Sequence, residues 1–179
     1  LASTALSTTM TASAAAALTW IFFDALRGTK PSAMGTCIGL VVGLVAITPA
    51  AGFVTVPHSL VIGAVAAIVS RLCVDWRTKS KVDDTLDVFP CHGVGGIVGM
   101  ILTGVFANKK INSVVETDGL FYGEFGLFQS HIIGLLISAV FILVVSFILL
   151  KVTDSISPLR VSYEDEVIGM DISQHGEKL

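Results

Sequence analysis

LDVFPCHGVGGIVGMILTGVFA, residues 86–107, places one imidazole in an otherwise uncharged apolar run. From Val88 to Ala107 there are 20 residues without Asp, Glu, Lys or Arg. A helix of about 20 apolar residues is what the hydrocarbon core of a bilayer requires. His92 stands near the start of the run, and Gly93, Gly95, Gly96 and Gly99 follow it closely. At helical spacing, positions 92, 95, 96, 99 and 103 share one face. The imidazole is therefore expected above a strip of glycines and Thr103. That strip either admits a neighbouring helix or leaves a narrow void. An ionisable group within a span points to function by default, because keeping it out of water is costly. The competing reading is a neutral histidine bonded to a neighbouring helix.

The remainder of the chain has the same character. Of 179 residues, 53% are hydrophobic and 14% charged, with a mean hydropathy of +0.83. Soluble domains carry about 25% charged residues, so the composition is that of an integral membrane protein. A net charge of −3 gives no sign of a nucleic-acid partner. Cys37, Cys73 and Cys91 lie 36 and 18 residues apart, which fits neither a zinc site nor a disulfide framework. The chain opens in mid-helix composition without an initiator Met, and the expectation is a fragment lacking its N-terminal part.

Five spans are expected, at about 1–26, 32–50, 57–75, 88–107 and 127–152. The uncharged stretch 32–70 is too long for one span, and Pro49, Gly52 and Pro57 divide it. Residues 1–158 then form the membrane domain and 159–179 a polar tail. Arg27, Lys30, Arg71, Arg77, Lys79, Lys81, Lys151, Arg160 and Lys178 fall on one side, against Lys109 and Lys110 on the other. Nine against two puts the tail in the cytoplasm of a cell membrane and the start of the chain outside. Gly35, Gly39 and Gly43, and again Gly95 and Gly99, recur at the four-residue spacing that lets helix backbones approach in lipid.

Acids precede the fourth span. Asp84 or Asp87 is expected to cap its N-terminus, where a carboxylate satisfies free N–H groups and suits the helix dipole. Asp87 and His92 are five residues apart and do not stack on one face. Adjacent helical residues point about 100° apart, which disfavours a Cys91–His92 catalytic pair. No second histidine sits at metal-ligand spacing. His58, His131 and His175 read as interfacial or hydrogen-bonded. No enzymatic centre, metal or cofactor is expected.

Three motifs in order resemble the ammonium transporter family (Amt/Mep/Rh), in its bacterial-type branch. The first is D-D-x-x-D-V-F-x-x-H-G-V-x-G-I-V-G, from Asp83 to Gly99. The second is R-G-x-K-P-S at residues 27–32, followed by G-L-V-x-x-T-P-A-x-G at 43–52. The third is P-L-R-V with G-M-D-I-S-Q-H-G-E, within residues 158–177. The resemblance implies an all-α membrane fold of eleven spans in two inverted halves, of which this chain matches helices seven to eleven. It implies a homotrimer with one pore per subunit, carrying ammonium or ammonia. His92 matches the second of two facing pore histidines, whose partner belongs to the absent half. Thr48 matches a position close to that pair, and Val88 a pore-lining position on the cytoplasmic side. The tail match, at Gly169, Asp171, His175, Gly176 and Glu177, implies a segment that packs under the trimer and helps a PII-type signal protein plug the pores. Without that match the tail reads as a solvated terminus.

Two other readings stay open: a membrane sensor of ammonium that does not transport, and a gas channel of the Rh type. The tail motif speaks against the second. A membrane-embedded enzyme would need a second reactive group near His92.

Overall fold

A computed structural model describes residues 1–177; Lys178 and Leu179, the end of the expected tail, lie outside that range. Among the described residues the regular structure is entirely helical. The chain divides into two units, one up to Leu135 and one from Leu136.

The first unit holds α1 (Ala2–Leu26), α2 (Ala33–Ile47), α3 (Val56–Lys79), a π-helical turn (Phe89–Val94) that runs into α4 (Gly95–Phe106), and the first turns of α5 (Gly126–Ile156). Four helical stretches are long and apolar enough to cross a membrane: α1, α3, the 18 residues Phe89–Phe106, and α5. The fifth, α2, has only 15 residues, about 22 Å of helix against the roughly 30 Å of a bilayer core. It stops three residues short of the expected end at 50. Pro49 has no N–H to donate to Val45, whose carbonyl takes the Thr48 N–H at 3.2 Å instead.

The backbone beyond α2 is irregular, and its polar groups are still paired. The N–H groups of Ala50 and Ala51 reach the Ile47 carbonyl at 2.8 and 2.7 Å, and the Phe53 carbonyl accepts from Asn108 at 2.9 Å. Ala50 and Val54 are fully buried. Non-helical backbone survives at membrane depth only when shielded in this way. At the other end, α3 continues four residues past the expected limit. Arg77 and Lys79, beyond the expected limit at 75, therefore sit on its last turn.

Small residues draw the helices together. A Cβ on Gly43 of α2 would lie 2.6 Å from the Ala12 carbonyl oxygen, and one on Gly63 of α3 only 2.2 Å from the same atom. One turn of α1 thus receives two backbones at van der Waals contact. The same holds at α4, where a Cβ on Gly99 would lie 2.3 Å from the Ala46 carbonyl of α2. Around these points Ala16, Trp20, Val42, Ile62, Ala66 and Ala67 form the core. Lipid tails are as apolar as leucine, so packing contact and polar pairing hold such helices together, rather than removal from water. Ser13 contributes a bond from its hydroxyl to the Leu40 carbonyl at 3.1 Å. The start of α5 rests on α4, with Phe128 against Gly104 and His131 Nδ1 3.1 Å from the Met100 carbonyl.

The second unit contains the rest of α5, then α6 (Tyr163–Ile168) and α7 (Met170–Ser173). The whole of α5 has 31 residues and none is buried, an apolar rod of about 46 Å. Lys151 lays its ammonium 6.0 Å from the Phe147 ring centre, an aromatic–cation contact of the kind that suits a membrane boundary. The tail folds on itself. Ser162 caps α6 by accepting from the Asp165 N–H at 3.2 Å. Arg160 holds Glu166 at 2.8 Å and keeps that carboxyl below its ordinary pKa.

Candidate functional site

The segment before α4 turns on three acids with different tasks. Asp84 does the capping: its two carboxylate oxygens accept from the N–H groups of Val88 at 2.9 Å and Phe89 at 2.8 Å. Asp87, expected as a second cap, does not serve as one. Its backbone has a φ of +53°, and its carboxylate instead takes the Arg77 Nε at 2.9 Å and Nη2 at 2.6 Å. The pair ties the start of α4 to the end of α3. A fork-shaped guanidinium favours this shared geometry.

Next comes the π turn. Pro90 deletes one backbone donor, and the wider winding of Phe89–Val94 inserts a residue relative to an α-helix. The expected common face of His92 with Gly95, Gly99 and Thr103 is therefore lost. Gly95, Gly99 and Thr103 are buried against the bundle, while His92 is exposed. The glycine strip admits α2, whose Ala46 backbone comes up against Gly99. Thr103 bonds its own hydroxyl to the Gly99 carbonyl at 2.7 Å. Cys91, next to His92, is buried, which separates the two side chains as expected. Such π turns within α-helices are frequent at functional positions.

His92 has no side-chain hydrogen-bond partner among the described residues. A neutral imidazole brings one donor and one acceptor, and both remain open on the surface of this unit. Val88, one turn earlier, is half exposed. Thr48 is exposed as well, at the end of an α2 face that also carries Cys37, Leu40, Val41 and Leu44. Its hydroxyl donates to the Leu44 carbonyl at 2.8 Å, so only its lone pairs face outward.

The glycine contacts also fix how these positions are staggered. Gly95 lies against Val42 and Val45, and Gly99 against Ala46, so α2 and α4 run parallel. Thr48 is two residues past Ala46, and His92 seven before Gly99. That offsets them by about 13 Å along the helix axes at 1.5 Å per residue. His92 and Thr48 thus stand at successive levels of the unit.

Two other groups of polar residues surround this wall. At the end of the unit that carries the 107–125 loop, His58 stacks on Phe106 at 4.6 Å between centroids, with Phe121 edge-on at 5.2 Å and Thr55 Oγ1 3.1 Å from its Nδ1. In the neighbouring loop Lys109 Nζ sits 3.0 Å from Glu124, which raises the lysine's pKa.

At the opposite end lies a network the sequence did not disclose. Arg71 of α3 donates from Nε to Asp24 of α1 at 2.7 Å and also pairs with Asp75, which in turn pairs with Arg27. The Trp20 ring lies 5.8 Å beneath the Arg71 guanidinium. Asp24 is 5% exposed, and Arg71 is its counter-charge among the described residues. Arg71→Ala is expected to lower stability by about 3–5 kcal/mol, the cost of leaving a buried charge unpaired. Asp24→Leu combined with Arg71→Met should recover most of that loss. Thermal unfolding of the purified variants in detergent checks both; equal losses in the single and double variants would contradict the pairing.

In the tail, Gly169 and Gly176 have φ of +101° and +68°. They let the chain reverse so that the Glu177 N–H bonds the Asp171 carbonyl at 2.8 Å. Four of the five motif residues thus shape one compact turn, and the exposed His175 rides on it.

The family model for the Ammonium Transporter Family matches residues 1–179. An ammonium transporter of Bacillus subtilis is 42% identical over 95% of this chain and 42% of its own length. Ammonium transporter Amt1 of Archaeoglobus fulgidus is 40% identical over 94% of this chain and 42% of its own. The crystal structure of Saccharomyces cerevisiae Mep2 superposes with a TM-score of 0.82 at 34% identity, over 90% of this chain and 37% of that one. A sensor Amt protein shares the fold with a TM-score of 0.80 at 23% identity. The chain therefore spans less than half the length of the curated relatives it matches. With its helical spans, its glycine-packed bundle and these likenesses, the chain belongs to the ammonium transporter family as a multi-pass membrane protein.

Proposed function

We propose that this chain forms one wall of an ammonia-conducting pore, and that His92 is its guiding group. The observation that supports this reading is the imidazole itself: exposed, unpartnered among the described residues, and set on a π turn within a span. Ammonium is a strongly hydrated cation, and bringing it bare into an apolar lumen costs many kcal/mol. Desolvation lowers the pKa of an amine, so a proton leaves at the mouth. Neutral ammonia then needs only hydrogen-bond partners, which an imidazole provides in both senses. A second histidine from the rest of the protein completes a pair that guides ammonia and relays the proton by a separate route. Val88 lines the cytoplasmic side of the same wall, and Thr48 lines a level further out. Potassium has no proton to give up and is excluded.

In this reading the tail and the loops rich in Arg and Lys are cytoplasmic, in the plasma or inner membrane. The protein assembles as a trimer, and the tail turn at Gly169–Glu177 presents a platform for a PII-type signal protein. The test is a flux assay on the complete protein in vesicles. Ammonium is expected to produce transport and potassium none; equal permeation of both would refute the mechanism. A non-transporting sensor of ammonium would bind the ion and show no flux at all.

The tail carries a separate expectation. Deleting residues 159–179 should reduce transport several-fold or abolish its response to nitrogen status, read by methylammonium uptake in cells. Full uptake with full control would count against a regulatory tail.

A further inference from the structure

One buried hydroxyl in the bundle behaves unlike the others. Thr8 and Thr103 donate to the carbonyl four residues back on their own helix, Ser59 to the one three back, and Ser13 to Leu40 of α2. Ser70 of α3 is fully buried, and its Oγ has no hydrogen-bond partner among the described residues. It does not turn back to the Ala66 or Ala67 carbonyl of its own helix. It faces α4, 3.7 Å from where a Cβ on Gly95 would lie. Leaving a buried hydroxyl unpaired is costly, and in native folds water completes such groups where the chain does not reach.

The surroundings supply the rest of a site. Gly95 is where the π turn passes into α4. Its N–H donates to the His92 carbonyl, three residues back. The Cys91 carbonyl, its partner in regular α winding, does not receive it. Helix carbonyls point along the chain, so that of Cys91 is directed toward the level of Gly95. The seam is also looser here than further along α4. A Cβ on Gly95 would meet Val45, Ser70 and Val42 at 3.6, 3.7 and 3.8 Å, against 2.3 Å from the Ala46 carbonyl at Gly99. On Gly96 it would meet Val45 alone, at 3.9 Å.

We infer that one water molecule is held in this notch, accepting from the Ser70 hydroxyl and donating to the Cys91 carbonyl, and that Ser70 thereby positions His92. Two partners are the least that a buried water requires. A bridging water holds nearly as well as a direct bond. Cys91 adjoins His92, so the bridge ties α3 to the middle of the π turn. The Arg77–Asp87 pair ties α3 only to the residue before it. Ser70 is thus a positioning residue, acting on the imidazole through the backbone that carries it. The positioning role rests on the pore reading of His92; the water site stands apart from it.

Three variants of the complete protein test this. Ser70→Ala removes the anchor. Gly95→Ala sets a methyl group in the notch without a clash and expels the water. Gly95→Ser brings a hydroxyl to the place of the water and should restore the link. Crystal structures sharp enough to show buried waters are expected to hold one at hydrogen-bond distance from Ser70 Oγ in the unaltered protein, and none there in the two alanine variants. Amide exchange over residues 89–96, read by mass spectrometry, should quicken roughly fivefold in both alanine variants, the factor of one lost hydrogen bond. It should return to the unaltered rate in Gly95→Ser. The unfolding temperature supplies a sign. A hydroxyl without a partner burdens the fold, so its removal would raise that temperature; a bridged one supports the fold, so Ser70→Ala should lower it. No water at Ser70, or a raised unfolding temperature in Ser70→Ala, overturns the site. Ammonium flux in vesicles should fall several-fold in the alanine variants and recover in Gly95→Ser. Full flux in Ser70→Ala, with the water present in the unaltered protein and His92→Ala impaired, overturns the positioning role. Full flux in His92→Ala would instead be a failure of the pore reading.

Discussion

Replacing His92 by alanine in the complete protein is expected to cut ammonium transport by roughly 10- to 100-fold. The size follows from one hydrogen bond to a desolvated ammonia, about 1–3 kcal/mol when its loss leaves the guest unsatisfied. His92→Glu should do something different. A carboxylate at that level attracts cations, so flux persists while potassium begins to pass. Ion-selective currents across vesicles, taken for ammonium and potassium side by side, read both variants. Unchanged currents with unchanged rejection of potassium would remove His92 from the pore. Within this unit the side chain is exposed, so neither variant removes a buried contact of it.

The opposite is expected of Gly99. A methyl group there would need to occupy space 2.3 Å from the Ala46 carbonyl oxygen. That atom is backbone and cannot swing aside as a side chain could. Separating α2 from α4 forfeits contacts along both helices, and overpacking of this kind costs about 3 kcal/mol or more. Gly99→Ala should therefore lower the unfolding temperature sharply, and Gly99→Leu should prevent recovery of folded protein. Gly96→Ala is the matched control: its Cβ would come no nearer than 3.9 Å to Val45. Fluorescence-detected gel filtration after graded heating distinguishes them. Equal behaviour at the two positions would mean that the glycine spacing has no packing role.

The spans were readable from residues because a bilayer accepts few solutions: an apolar run of the right length becomes a helix. Glycine spacing foretold which faces close, as Gly39 and Gly43 against α1 and Gly99 against α2 bear out. The break after α2 was legible too, since Pro49 lacks a donor whatever surrounds it. What could not be read was the direction of His92. Helical periodicity assumes bonds to the fourth residue back, and Phe89–Val94 departs from that rule. Pro90 and the nearby glycines marked irregular backbone without saying of which kind. Asp87 misled for a similar reason. It sits where a cap should sit, yet Arg77, ten residues away, offers its carboxylate a stronger partner. Asp24 and Arg71 are 47 residues apart and carry no shared pattern. Their pairing depends on how α1 meets α3, and small residues set that contact.

The winding at Phe89–Val94 also works as a phase adjuster. Gly95 and Gly99 of α4 are seated against α2, and Asp87, just before the turn, is tied to α3 through Arg77. Between these two clamps lies the extra residue of the π turn. Removing one residue there would restore ordinary winding and turn the imidazole by about 100° relative to the locked face. The ring would then point at a neighbouring helix with no change in composition. The aim of the histidine is thus stored in a residue count, and deletion of the single codon for Gly93 would erase it while sparing the buried Pro90 and Cys91.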